Sequence, residues 1–134
     1  MIAYKVVHKE SRMGMNAALF GIEKTKALVA RLPELERYFP KYKKGAKIDY
    51  VKGTPGICCF TSKKVAERFV MDECRLNINK ELTIIKVEGF SVLRGRAKLY
   101  SGCGSDPRSM LDSRAVTRLR PKGFIGFKQI KVLE

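Results

Sequence analysis

Gly56-Ile-Cys-Cys-Phe-Thr-Ser-Lys-Lys-Val-Ala-Glu-Arg-Phe-Val70 is the segment from which the fold is read. Gly53-Thr-Pro-Gly56 is a strong turn signal, and the apolar run Gly56–Phe60 behind it predicts a short strand of the buried kind. Thr61 or Ser62 then offers an oxygen to cap a helix reaching about Cys74. Val65, Ala66, Phe69 and Val70 recur at helical spacing along it and mark its core face. Leu82–Phe90 predicts the next strand.

Outward from this unit, Ile2–His8 alternates as a first strand, with Tyr4 and Val6 on one face. Asn16 caps a helix to about Leu32 carrying the stripe Ala18, Ile22, Thr25, Val29 and Leu32. Pro33 opens a second short helix, Glu34–Phe39, whose early acids suit the positive end of the helix dipole, and Pro40 ends it. Ala46–Lys52 reads as a strand, and Ser91–Ser101 as another with a bulge at Gly95. Gly102–Pro107 reads as a loop, Ser109–Val116 as a short helix and Phe124–Leu133 as a terminal strand. Strands gather after residue 46 instead of alternating with helices. The expectation is therefore one α+β domain over residues 1–134, with a mixed or split antiparallel sheet and two to four helices.

The 134 residues are 45% hydrophobic and 31% charged, the composition of a folded globular chain. No apolar run approaches the length that crosses a bilayer, and the first residues lack a signal peptide's apolar region, so a cytoplasmic location is expected. Cys58 and Cys59 are adjacent in a strand and must point to opposite faces, which disfavours a disulfide between them. With no C-x₂-C pair and His8 as the only histidine, neither a metal site nor a cofactor is expected; Cys58, Cys59, Cys74 and Cys103 read as buried, reduced thiols.

The charge is the loudest functional signal. Twenty-eight Lys and Arg against thirteen acids leave a net charge of +15, and the excess is clustered. Between Arg37 and Lys52 six basic residues, Arg37, Lys41, Lys43, Lys44, Lys47 and Lys52, interleave with Tyr38, Phe39, Tyr42 and Tyr50 and meet one acid, Asp49. Arg94, Arg96 and Lys98 alternate on an expected strand, and Arg118, Arg120 and Lys122 follow. Such cations neutralise phosphates and release counterions, while Tyr42 and Tyr50 are candidate rings for stacking on unpaired bases. The helix after Phe60 opens on Lys63 and Lys64 and closes on Asp72 and Glu73, the reverse of what its dipole favours. A phosphate on the amides near Ser62 would turn that liability into a binding feature. Lys122-Gly-Phe-Ile-Gly-Phe127 invites comparison with an aromatic RNA-recognition signature, but the inserted isoleucine breaks the alternation, and the phenylalanines read as core.

Gly56-Ile-Cys-Cys-Phe60, Ser62-Lys-Lys-Val-Ala66 with Phe69, and Ile84-Ile-Lys-Val-Glu-Gly89 together resemble the middle of ADP-ribosyltransferases of the poly-ADP-ribose polymerase type. Phe124-Ile-Gly-Phe-Lys-Gln-Ile130 is similar to that family's last strand, and His8 falls where its NAD-binding histidine lies. The resemblance covers about half the chain and implies a split-sheet fold with an NAD cleft. The chain departs from it at Cys58, in place of the family's tyrosine, at Lys9, where glycine follows the histidine, and at Gly123, in place of the catalytic glutamate. The expected function is therefore non-enzymatic binding of nucleic acid or another phosphate-rich ligand, as in a small accessory protein of a virus or mobile element. An ADP-ribosyltransferase-like protein acting on or binding NAD, and a module that docks on an acidic protein, are the alternatives.

Overall fold

The computed structural model describes residues 1–52, 54, 56–73, 81–93, 96–98, 117–119 and 122–134. In chain order these form β1 (Ile2–His8), α1 (Met15–Phe20), α2 (Ile22–Arg31), a 3₁₀ helix (Pro33–Tyr38), β2 (Lys47–Asp49), β3 (Ile57–Phe60) and α3 (Lys63–Glu73). β4 (Leu82–Leu93), β5 (Arg96–Lys98), β6 (Thr117–Leu119) and β7 (Phe124–Val132) follow. Five strands make one sheet in the order β2-β7-β3-β1-β4, with β7 also paired to β4; β5 and β6 form a separate two-stranded ribbon. Every described pairing is antiparallel.

β7 organises the sheet. β4 covers it from Val87↔Val132 to Leu93↔Gly126, β3 pairs with Phe124–Phe127 and β2 with Gln129–Lys131. A strand has two ladder edges, so β2 and β3 must succeed one another along the edge that β4 leaves. β1 then closes the circuit. It makes a full ladder with β4, from Ile2↔Glu88 to His8↔Leu82, and a single described pair with β3, Tyr4↔Phe60. The α+β class holds as expected, with a sheet closed through β3, β1, β4 and β7.

Closure gives the sheet an inside and an outside. Inside lie Ala3, Val7, Ile57, Cys59, Ile85, Val87, Phe127, Ile130 and Val132, with Tyr42 and Ile48. Outside, Val6, Phe60, Leu82, Tyr4 and Ile84 pack beneath Ala18 of α1 and Ala66, Val65, Phe69 and Val70 of α3. Three rings knit this layer: Phe60, Phe69 and Phe124 lie with centroids 4.8–5.3 Å apart. A third cluster, Met13, Ala17, Leu28, Leu35 and Phe39, holds α1, α2 and the 3₁₀ helix together. Phe124 belongs to the outer layer and Phe127 to the interior, so the isoleucine between them does separate the two aromatics.

Several boundaries differ from the sequence reading, each for a local reason. The helix expected from Asn16 to Leu32 is two helices. Gly21 breaks it at φ 117° and ψ 125°, its N–H closing α1 on Ala17 O and its C=O opening α2 on Thr25 N–H. The buried Thr25 hydroxyl seals the break by donating to Gly21 O at 2.9 Å. Gly14, not Asn16, stands at the N-cap of α1. β3 is not buried throughout, since Cys58 is exposed while Cys59 is buried. β4 runs on to Leu93 through Ser91, which adopts φ 54°. Gly95, residues 102–116, Cys74 and Cys103 lie outside the described residues.

Gly89 of β4 has a steric role. A Cβ there would fall 2.4 Å from two ring carbons of Phe127, which fills the interior against it. Gly89→Ala should therefore lower the urea midpoint by the equivalent of about 1–3 kcal/mol with an unchanged m-value. An unchanged midpoint would mean that the ring is free to move aside.

Candidate functional site

Among the described residues, the clearest concentration of exposed charge forms where the chain enters β2. Lys43 O accepts from Ala46 N–H at 3.0 Å, making a tight turn whose tip is Lys44 and Gly45, the glycine at φ 85°. Gly45 N–H donates to Val132 O, and Val132 N–H to Ala46 O, at 2.8 and 2.9 Å, so the turn runs beside the end of β7. Arg12 fixes it from below, its Nε donating to Tyr42 O at 2.9 Å and its guanidinium also reaching Glu134 O. The register then sets Lys47 directly opposite Lys131. Both are exposed, as are Lys41, Lys43 and Lys44.

Like charges directly opposite one another cost a sheet roughly 0.2–1 kcal/mol. Glu88 of β4 flanks Lys131 on its other side and offsets part of this cost, without closing to an ion pair. Among the described residues the only ion pairs are His8–Glu81 at 3.9 Å and Lys26–Glu23 at 3.5 Å, neither in this patch. Asp49, the nearest acid in sequence, accepts from Gln129 Nε2 at 2.7 Å on Oδ1 instead.

The remaining expected residues fall into distinct places. Arg37 is exposed at the end of the 3₁₀ helix with its guanidinium 5.3 Å from the Tyr38 ring centroid. Lys63 and Lys64 are exposed on the first turn of α3, where Ser62 Oγ already accepts from Val65 N–H at 3.2 Å. That hydroxyl takes one of the amides expected to hold a phosphate. Arg96 and Lys98 lie on the same ribbon as Arg118, which stands opposite Ala97. Lys122 is exposed in the turn before β7, and Arg94 and Arg120 lie outside the described residues.

The two tyrosines expected to stack on bases do not lie open. Tyr42 is 6% exposed, with its ring in the sheet interior, and Tyr50 is half-buried against the same cluster. Aromatic side chains interleaved with lysines in sequence turn inward here while the lysines turn out.

Tyr42 meets a lysine that sequence reading passed over. Lys5, on the interior face of β1, places Nζ 4.7 Å from the Tyr42 ring centroid and donates to Cys58 O at 2.9 Å. It thereby straps β1 to β3 where their ladder is thinnest. Burial pulls the Lys5 pKa down, but the negative charge that Tyr42, Cys59 and Cys58 carry when ionised, with a hydrogen bond to Tyr42, outweighs it, and the balance lies above the ordinary lysine value. Burial pushes the Tyr42 phenol up against the pull of Lys5. It also pushes the Cys59 thiol from 9.0 up to about 12. At neutral pH the interior thus holds one ammonium beside a neutral phenol and a neutral thiol.

The positions singled out by the transferase resemblance have local structural roles. His8 Nδ1 accepts from Ser11 N–H at 3.1 Å, with Ser11 Oγ at 3.0 Å, while Nε2 faces Glu81. Gly123 adopts φ 92° and accepts from Thr61 N–H at 2.9 Å. Among the described residues no group of three His, Cys, Asp or Glu could hold a metal, and no helix is long and apolar enough to cross a membrane. No family model, curated protein or solved structure matches the chain.

The interior titration has a measurable sign. Cys59 holds its proton more tightly folded than unfolded, so stability is intact below pH 9 and falls as pH rises toward about 12. Tyr42 and Lys5, both shifted up, lose stability in the same direction. For Cys59 the full loss is on the order of 4 kcal/mol. The urea midpoint, followed from pH 8 to pH 11, should fall. Cys59→Ala should start lower and show a shallower decline, and equal slopes for the two proteins would refute the assignment.

Proposed function

We propose that the protein binds a phosphate-rich polyanion, nucleic acid above all, without catalysing a reaction on it. The observation that carries this reading is the set formed by Lys43, Lys44, Lys47 and Lys131, four exposed cations beside one another with no ion-paired acid. A turn and two strands hold them in place, so little backbone order is lost on binding. The net charge of +15 adds long-range attraction to any polyanion.

Four phosphate contacts release enough counterions for a salt slope of about −2.8 on single strands and about −3.6 on duplex. Raising salt from 50 to 200 mM should then weaken single-strand binding roughly 50-fold. Fluorescence anisotropy with labelled oligonucleotides measures this directly, and a flat salt response overturns the proposal.

Lys47→Glu separates binding from folding. It puts an acid opposite Lys131, which should raise stability by about 0.2–1 kcal/mol while weakening binding and flattening the salt slope. The variant Lys43→Glu/Lys44→Glu should weaken binding with little effect on the thermal midpoint, since both side chains are exposed. Unchanged affinity in both variants, or capture of an acidic protein after nuclease treatment with no affinity for oligonucleotides, would reject nucleic acid as the ligand.

A further inference from the structure

The outer surface of the closed sheet is covered over only part of its area. Helices α1 and α3 pack on the side formed by Tyr4, Val6, Phe60, Leu82 and Ile84. Beyond them β2, β7 and the second half of β4 present an open face whose composition follows from the register. One cross-strand row reads Lys47, Lys131, Glu88 and Ile2; the row two residues along reads Asp49, Gln129 and Phe90. The intervening row, Ile48, Ile130 and Gly89, is buried, so the two flanking rows share the outward side. Phe90 is 38% exposed and Ile2 is 43% exposed at its edge.

An open aromatic ring on a sheet, one row away from two lysines without ion-paired acids, is the arrangement that receives an unpaired base. Bases stack on the ring whatever their identity, and the lysines meet the phosphates on either side. A duplex hides its base faces inside its own stack and gains nothing from Phe90. Two acids share the face, Glu88 opposite Lys131 and Asp49 opposite Gln129, and they leave the lysines in excess once Lys43 and Lys44 of the adjoining turn are included. Asp49 accepts from Gln129 Nε2 at 2.7 Å, and its free carboxylate oxygen and the Gln129 amide oxygen are acceptors of the kind that pair with the amino edges of bases. Phosphates are thereby directed toward Lys47 and Lys131.

Resting on the polyanion reading above, we infer that the ligand is single-stranded nucleic acid, one of whose bases stacks on Phe90 while its backbone runs over Lys47 and Lys131. The sheet face, not the interleaved tyrosines, is the stacking platform.

The test uses the full chain with single-stranded RNA and DNA, duplexes of equal length, and inorganic polyphosphate. An oligonucleotide carrying 2-aminopurine reports stacking through its emission. Single strands of either sugar should bind more tightly than duplex or polyphosphate at matched charge, and 2-aminopurine emission should be quenched. Phe90→Ala should weaken single-strand binding roughly 5- to 150-fold and abolish the quenching, while binding to polyphosphate stays unchanged. Phe90→Tyr should restore both, which separates a lost ring from a damaged fold. Equal affinity for polyphosphate and single strands, or wild-type quenching in Phe90→Ala, overturns this inference and leaves polyanion binding intact. Failure of every polyanion to bind overturns both.

Discussion

The demand that one strand satisfy hydrogen bonds along both of its edges underlies everything else in this structure. β7 is paired to β4 along one edge and to β3 and β2 in succession along the other. This shared strand closes the sheet, creates an interior for Phe127, Ile130 and Val132, and seats Lys131 opposite Lys47. Backbone groups left unpaired in an interior of this kind would each cost on the order of 1–3 kcal/mol. The terminal segment is therefore held in register by the same bonds that build the patch. Fold and candidate site share one strand.

The weak point of the circuit lies between β1 and β3, and it is there that the chain places a half-buried cation. Lys5 bridges to Cys58 O and lies against the Tyr42 ring, so the interior gains a polar strap at the place where the ladder is short. A lysine oriented this way is lost to the surface charge. Conversely, Tyr42 is withdrawn from the surface because its ring lines that interior. The segment Arg37–Tyr50 accordingly divides its work, with lysines outward for electrostatics and rings inward for packing.

Much of the fold was legible because its signals are local. The apolar run before Ser62, the capped helix after it and the alternation of Phe124–Val132 reappear at nearly the expected bounds. The single helix read over residues 16–32 failed at Gly21, because a periodic stripe on both sides masks one residue at positive φ. In the site, the lysines of residues 41–47 were legible from charge density, whereas Lys131 and Phe90 were not. Each owes its place to strand partners more than 35 positions away in sequence, a relation that periodicity within one strand does not encode.

By itself the amino-acid sequence determined the α+β class, most of the elements and the sign of the chain's own charge, because hydrophobic period, capping chemistry and net charge are properties of neighbouring residues. Only the tertiary structure decided which cations adjoin, which aromatic ring stays open and which lysine is interior. Those depend on cross-strand register and on which side of a closed sheet each residue faces, and both are settled only when distant segments pair.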